Sequence, residues 1–259
     1  MNDADHVLAP NSLEGVRALV TGSSRGIGAE TAVYLAEAGA AVAVNYRSKA
    51  ARAEKVIARI EEIGGEAIAI AADLTDPASV AEMMGEIRET FGGLDLLVLN
   101  ASGGMESDMG EDYALRLNRD AQMSVLDAAL PLMRAGSRVV FVTSHQAHFI
   151  RTVPTMPEYE AVALSKRAGE DALRLRLDEL QELGIDFVVV SGDMIEGTIT
   201  ATLLERARPG AMNARREDAG RLFSVDEFAA EVAQAAVDEI PADHTRYVGD
   251  ISGFVAQQS

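Results

Sequence analysis

A glycine-rich turn near the start of the chain has the residue types that bind a phosphate group. The segment 21–28 reads Thr-Gly-Ser-Ser-Arg-Gly-Ile-Gly and joins an apolar stretch to a helical pattern. Glycine permits a tight turn and a close approach of the backbone, and the free N–H groups of the following helix attract an anion. The turn therefore predicts a dinucleotide site. Its candidate ligands are Gly22, Ser24, Arg25, Gly26, Ile27 and Gly28.

The residues about 20 positions after these glycines indicate which dinucleotide binds, because NAD sites place a carboxylate there for the ribose 2′-hydroxyl. This chain has Asn45-Tyr46-Arg47-Ser48 instead, without a carboxylate. Arg47 and Ser48, together with Arg25 from the glycine turn, match a 2′-phosphate, since guanidinium pairs well with phosphate oxygens. We therefore expect NADP(H), although two solvated arginines would give the same sequence pattern.

The elements that must position these residues alternate along the chain. The predicted strands are Val16–Val20, Ala41–Val44, Ala67–Ala71, Leu94–Leu99, Arg138–Thr143, Phe187–Val190 and Thr245–Val248. The predicted helices are Ile27–Ala38, Ala50–Ile63, Pro77–Phe91, Asp112–Arg134, Pro157–Leu183 and Ser224–Glu239. Strands that are apolar throughout are typical of a sheet covered on both faces. The order predicts a single-domain α/β fold, a doubly wound (Rossmann-like) parallel sheet of about seven strands flanked by helices.

Three irregular stretches follow predicted strands, and they are Ala101–Glu111, His145–Met156 and Asp193–Leu222. Ligands of open α/β sheets bind at the carboxyl ends of the strands, so these stretches are expected to shape a substrate pocket. Arg208, Arg215 and Arg216 in the last stretch either accept an anionic substrate or lie in solvent. No linker or repeat interrupts the pattern, so we predict a flexible arm, residues 1–12, and one domain, residues 13–259.

The composition excludes several classes of partner and site. Acidic residues number 41 against 23 basic ones, which gives a net charge of −18 and disfavours nucleic acid and anionic lipid. The chain has no cysteine and only four histidines, so we expect no metal site. The first 12 residues lack the pattern of a signal peptide, and no apolar run is long enough to span a bilayer. These features predict a cytoplasmic protein without a membrane partner.

Several landmarks identify a resemblance to the short-chain dehydrogenase/reductase superfamily, which extends from about Leu13 to Asp250. Besides the glycine turn, the landmarks are Asp73, Asn100-Ala101, Asn118, Ser144 and Lys166, in the order of the family. The resemblance implies that Asp73 and the backbone of Leu74 bracket an adenine. It also implies that Asn100 and Ala101 line the path of the nicotinamide ribose.

The chain departs from the family pattern after the sixth predicted strand. Relatives have Pro-Gly and then a Thr that contacts the nicotinamide carboxamide, where this chain has Ser191-Gly192 and Glu196. By resemblance, the backbone of Ile195 or the side chain of Thr198 would contact the nicotinamide instead.

The catalytic end also departs from the family pattern. In relatives, a Tyr four residues before a Lys exchanges a proton with the substrate. The Lys lowers the pKa of that Tyr and holds the ribose, a Ser orients the carbonyl, and an Asn holds a relay water. The matching positions are Lys166, Ser144 and Asn118, but Val162 occupies the position of the Tyr. Valine cannot transfer a proton, so the family's acid is absent from its own position.

Three replacements for that acid are open. Tyr159 lies seven residues before Lys166, on the same helix face and one turn nearer the N-terminus. His145 and His148 follow Ser144, and imidazole titrates near neutral pH. Otherwise the proton comes from water or the substrate, or the chemistry has been lost.

Together these observations predict an NADP(H)-dependent oxidoreductase of the ketoreductase or alcohol dehydrogenase type, with an atypical proton donor. The substrate would be a small-molecule carbonyl or alcohol, contacted by His145 or His148. The alternative is a catalytically silent or repurposed relative that binds nucleotide as a sensor or scaffold. Resemblance to the family also implies a homo-oligomer that associates through the fourth and fifth helices.

Overall fold

The computed structural model describes residues 6–105, 110 and 112–255. The strands are β1 (Arg17–Val20), β2 (Ala41–Tyr46), β3 (Glu66–Ala71), β4 (Leu94–Leu99), β5 (Met133–Ser144), β6 (Asp186–Gly192), β7 (Ile195–Glu196), β8 (Phe223–Ser224) and β9 (Thr245–Val248). Seven of them form one parallel sheet in the order β3-β2-β1-β4-β5-β6-β9, while β7 pairs with β8. The predicted doubly wound parallel sheet is confirmed.

Helices cover both faces of this sheet. They are α1 (Gly26–Glu37), α2 (Ala50–Glu62), α3 (Pro77–Phe91), α4 (Tyr113–Leu115), α5 (Ala121–Ala129), α6 (His145–His148), α7 (Pro157–Arg174), α8 (Leu177–Glu182), α9 (Ile199–Ala207), α10 (Ala211–Ala219), α11 (Val225–Gln234) and α12 (Ser252–Val255). A π-helical turn, Arg116–Asp120, joins α4 to α5, and a 3₁₀ turn, Leu130–Leu132, follows α5. Within the described residues, no helix combines the length and the apolar character needed to cross a membrane.

The apolar strands divide the interior into two cores. Along β1, Ala18 and Val20 contribute to the core beneath α1 and α11, and Leu19 contributes to the opposite core beneath α3 and α5. This alternation follows from the two-residue period of a strand. Burial on both faces explains why the strand sequences carry no polar alternation.

Three helices were predicted too long, and one of them, predicted as Ser224–Glu239, ends at Gln234. The segment predicted as Asp112–Arg134 ends at Leu132, since Pro131 removes a backbone donor and the chain then enters β5. The segment predicted as Pro157–Leu183 is interrupted between α7 and α8. This break leaves Leu175 86% exposed while Leu180 is buried in the core, and no Gly or Pro marks it in the sequence.

The irregular stretches and the arm also differ from expectation. The stretch 193–222 contains β7, α9 and α10, and the stretch 145–156 begins with α6. In the stretch 101–111, residues 106–109 and 111 lie outside the described residues, as do residues 1–5 of the predicted arm. In the rest of the arm, Leu8 is buried in the core and Val7 packs against it, whereas residues 9–12 are exposed.

A close contact between α7 and the π-helical turn fixes these two elements against each other. A Cβ atom at Gly169 would lie 1.9 Å from the backbone oxygen of Asn118, so only glycine fits there. The side-chain Nδ2 of Asn118 donates to Ser165 Oγ at 2.9 Å and to the carbonyl of Gly103 at 2.8 Å. The contact therefore joins α7, the π-helical turn and the segment after β4.

Gly169→Ala should destabilise the protein, although alanine favours a helix interior. The new methyl group must displace the Asn118 carbonyl, and such overpacking costs about 1–3 kcal/mol. Gly85 in α3 provides the matched control, because a Cβ atom there meets nothing within 4 Å. Gly85→Ala should stabilise by about 0.5–1 kcal/mol. Urea unfolding of both variants checks the opposite signs, and equal stabilisation would show that the α7 contact imposes no constraint.

Candidate active site

A cleft of about 630 Å³ crosses the carboxyl edge of the sheet. All fifteen predicted cofactor residues line it, and they are Gly22, Ser24, Arg25, Gly26, Ile27, Gly28, Arg47, Ser48, Asp73, Leu74, Asn100, Ala101, Lys166, Ile195 and Thr198. Of the other candidates, Ser144 and Tyr159 line the cleft, whereas Asn118, His145 and His148 are not among its lining residues.

The glycine turn forms a cradle that side chains would fill. Gly22 and Gly26 have φ angles of 62° and 56°, a region that favours glycine. A Cβ atom at Gly28 would lie 2.5 Å from Asn100 Nδ2. Arg25 precedes α1 in an extended conformation, and its side chain does not cap the helix. The first N–H groups of α1 therefore remain available for a phosphate group.

Two polar residues that sequence reasoning missed hold this turn against its neighbours. The hydroxyl oxygen of Thr21 accepts hydrogen bonds from the N–H groups of Asn100 at 2.9 Å and Ala101 at 3.1 Å. Asn45 Oδ1 accepts from the N–H of Gly22 at 3.0 Å. Both Thr21 and Asn45 are buried polar residues at the ends of apolar strands, which is the sequence signal that could have identified them.

Positive charge gathers at the end of β2. Arg47 and Ser48 line the cleft there, and so do Lys49 and Arg52, which the sequence analysis left out. Arg47 Nη1 donates to the hydroxyl of Tyr113 at 2.6 Å, so this guanidinium reaches towards α4. The cluster can bind a phosphate group outside the glycine turn.

Asp73 lies opposite these cations at the end of β3. Burial raises its pKa, but hydrogen bonds from the Thr75 hydroxyl and N–H outweigh this effect, and the net pKa is lowered. The charges of Arg47 and Arg116 add to the lowering. Asp73 is therefore an ionised acceptor beside Leu74, at the end of the cleft where an adenosine is expected.

At the other end of the cleft, Tyr159 reaches Ser144. The two hydroxyl oxygens are 3.2 Å apart, although Tyr159 is a helical turn away from the position of the family's Tyr. The Ser144 oxygen also accepts from the N–H of Ala147 and caps α6. Burial raises the pKa of Tyr159, and the hydrogen bond with Ser144 only partly offsets this effect.

Lys166 lies on the same helix as Tyr159 and is 9% exposed. Burial lowers its pKa to about 8, and the buried carboxylate of Glu170 opposes that shift. Among the described residues, no hydrogen bond or ion pair shorter than 4 Å is formed by its ammonium group. Lys166 is thus a buried cation that lines the cleft with its donors unused.

Val162 replaces the family's Tyr with an apolar contact. It is 4% exposed and packs in a small core with Ala163, Met194 and Leu204. A Cβ atom at Gly104 would lie 3.3 Å from Val162 Cγ2, so the segment after β4 closes over the valine. A phenol at this position would need these neighbours to move.

The histidine expectation is not supported by the structure. His145 is fully buried, and its ring nitrogens bond Ser191 Oγ at 2.8 Å and the Val248 carbonyl at 3.1 Å. Burial lowers its pKa to about 4, which keeps the ring neutral at pH 7. His148 contacts Glu170 and the hydroxyl of Tyr247, so both rings are engaged in the protein interior.

The remaining candidates have mostly structural partners. Asn118 lies in the π-helical turn, and its side-chain amide is bound to Gly103 and Ser165. Thr198 lines the cleft, but its hydroxyl caps α9 and donates to the carbonyl of Ile195. Within the described residues, no group of three or more His, Cys, Asp or Glu side chains could hold a metal ion.

Known proteins share both the sequence pattern and this fold. The family model described as short chain dehydrogenase matches residues 17–208. Versicolorin reductase 1 of Aspergillus parasiticus is 32% identical over 251 residues, which cover 95% of this chain and 92% of the relative. Such a match over nearly the whole length carries the family's fold with it.

Two solved structures extend the likeness. A short-chain dehydrogenase from Burkholderia cenocepacia, in complex with NADP, superposes with a TM-score of 0.77 and is 32% identical, covering 92% of this chain and 97% of its own. The angucycline C-6 ketoreductase LanV with bound NADP has a TM-score of 0.71 and is 30% identical, covering 89% and 91%. With the glycine turn, the sheet order and Lys166 all in the family's arrangement, this chain belongs to the short-chain dehydrogenase/reductase family of oxidoreductases.

Proposed function

We propose that the chain is an NADP(H)-dependent ketoreductase with Tyr159 as its proton donor. The observation that carries the proposal is one continuous cleft, with a basic cluster at one end and the Tyr159–Ser144 hydroxyl pair at the other. The NADP-bound structures of similar dehydrogenases support the cofactor, and the ketoreductase LanV supports the reaction. The cofactor supplies the hydride when it is bound.

The residues of the cleft suit each part of that cofactor. The glycine cradle and the N-terminus of α1 fit a pyrophosphate. Arg47, Lys49 and Arg52 fit a 2′-phosphate, and no carboxylate stands at the end of β2 to bind a free 2′-hydroxyl. Lys166 has unused donors for ribose hydroxyls.

Tyr159 suits the reductive direction better than the oxidative one. Its raised pKa keeps the phenol protonated at neutral pH, so it can donate a proton to a carbonyl oxygen as negative charge develops there. Alcohol oxidation would need a phenolate, which burial disfavours. Ser144 orients the carbonyl by a hydrogen bond from its own hydroxyl.

Val162 favours the second candidate, a silent relative that binds nucleotide without turnover. The two candidates share the cofactor end of the cleft and differ in whether a ketone is reduced. Consumption of NADPH in the presence of a ketone separates them. We further propose a cytoplasmic homo-oligomer joined through α5 and α7, where Leu164 leaves an apolar side chain 52% exposed.

Arg47→Ala should weaken NADPH binding roughly 10- to 100-fold and leave NADH binding almost unchanged, because only NADPH carries the 2′-phosphate. Fluorescence titration with both nucleotides measures the ratio. Arg59→Ala is the control, since Arg59 pairs with Glu30 and does not line the cleft. Equal losses for NADPH and NADH would exclude Arg47 as a phosphate ligand.

Tyr159→Phe should lower ketone turnover by about 10²–10⁴-fold, the usual contribution of a general acid. The affinity for NADPH should hardly change, since the ring remains and only a hydroxyl is lost. His148→Gln serves as the control and should retain turnover, because His148 does not line the cleft. A mild effect of Tyr159→Phe would assign the proton to water or to the substrate.

Lys166→Met should weaken NADPH binding and yet stabilise the free protein. With a folded-state pKa near 8 against 10.5, the buried charge costs on the order of 3 kcal/mol at pH 7. Below pH 8, Lys166 is charged in both the folded and the unfolded protein, so Lys166→Met gains its full increase in stability there. As the pH rises towards 10.5, the folded protein releases this proton and the stability difference between the two proteins disappears. Thermal unfolding of both proteins at pH 7 and pH 10 measures it. If Lys166→Met were less stable than the unmodified protein at pH 7, the buried charge would stabilise the fold. That result would contradict the interpretation that Lys166 is kept for cofactor binding at a cost in stability.

A further inference from the structure

The amide of Gln146 lies at the substrate end of the cleft, two residues after Ser144 on α6. Gln146 is 8% exposed, and its Nε2 donates to Asp193 Oδ1 at 3.0 Å. It directly follows His145, but unlike His145 and His148 it lines the cleft. No role for it follows from the reaction described above.

Asp193 fixes the orientation of that amide. The carboxylate also accepts from the N–H of Met194 at 2.7 Å and from Arg215 Nε at 2.8 Å, and its side chain is only 3% exposed. An ionised carboxylate can only accept hydrogen bonds, so the amide must turn its NH₂ group towards it. The Gln146 oxygen is then the end of the amide that faces away from Asp193.

That oxygen has no hydrogen-bond partner among the residues that the structure describes. No hydrogen bond among the described residues reaches Gln146 Oε1, and it is not among their fully buried unpaired atoms. An accessible carbonyl oxygen on a cleft wall accepts from a hydroxyl or N–H of a bound molecule. The oxygens of Asp193 are both already engaged, since they accept from Gln146, Met194 and Arg215.

The same arrangement argues against an anionic substrate. Arg215 was a candidate anion receptor, but it is paired with Asp193, and Arg216 is paired with Glu196 at 2.5 Å. Apolar side chains of Met156, Met194 and Leu204 also line the cleft. Its chemistry therefore fits an uncharged, mostly apolar molecule that carries a hydrogen-bond donor.

We infer that Gln146 is a specificity-determining residue, which selects uncharged apolar ketones that carry a hydroxyl group within reach of its Oε1 atom. This inference rests on the proposed ketoreductase function and names its substrate class. Asp193 is a positioning residue, since it acts on the substrate only through Gln146. Arg215 holds Asp193 in place from α10.

The experiment compares 1-tetralone, its monohydroxy isomers and the methyl ethers of those isomers, with NADPH. Each hydroxy and methoxy pair places an oxygen at the same site, but only the hydroxyl can donate. At least one hydroxy isomer should exceed its methyl ether roughly tenfold in kcat/KM, the size of one neutral hydrogen bond. Calorimetric binding of the same pair to the protein with NADP⁺ should give the same preference without turnover.

Gln146→Leu should abolish that preference in both measurements, because leucine offers no acceptor to a substrate hydroxyl. Met156→Leu is the matched control, since it alters the same wall without removing a polar acceptor, and it should retain the preference. Asp193→Asn should weaken the preference, because an amide at this position no longer dictates how Gln146 turns.

The outcomes separate the inference from the function on which it rests. Reduction of tetralones without any hydroxyl preference, or with a preference that survives in Gln146→Leu, would overturn the assignment of Gln146 alone. Binding of NADPH without reduction of any ketone would overturn the ketoreductase function and this inference with it.

Discussion

The close approach of the first turn to the end of β4 is the constraint on which the rest of the site depends. Thr21 accepts from two N–H groups after β4, and Asn100 Nδ2 returns a hydrogen bond to the Thr21 carbonyl at 3.0 Å. Only glycine at position 28 leaves room for the Asn100 amide. These contacts align the N-terminus of α1 with the open edge of the sheet. A cleft that runs from β2 to β6 follows from that alignment.

The substrate end depends on how α7 is held. Gly169 allows α7 to pack closely against the π-helical turn. This packing fixes the position of α7, and with it that of Lys166 and Tyr159, relative to β5. In this position the phenol of Tyr159, starting one turn away from the family's site, still contacts the Ser144 hydroxyl. Val162 occupies the vacated site with an apolar side chain packed beneath the segment after β4. A phenol is thus in contact with the Ser144 hydroxyl, and it belongs to Tyr159.

The sequence predicts most of the fold and the cofactor end, because both follow from local patterns. Apolar strands between helical patterns identify the sheet, and the glycine spacing identifies the turn. The break after α7 escapes such reasoning, since no Gly or Pro marks it and tertiary packing decides it. The histidines illustrate the same limit, because residue order places them beside Ser144, whereas α6 directs His145 into the interior and Gln146 towards the cleft. Gln146 and Asp193 meet only through the pairing of β5 with β6.

A crystal structure of the protein with NADP⁺ tests the central claim most directly, namely that one cleft joins a 2′-phosphate site to a Tyr159 proton donor. The account predicts the 2′-phosphate beside Arg47 and Lys49. It also predicts that the Tyr159 hydroxyl is the closest ionisable side-chain group to the nicotinamide C4 atom, apart from the ribose-bound Lys166. A nicotinamide ring that lies away from the Tyr159–Ser144 pair, or a 2′-phosphate without a cationic partner, would contradict it.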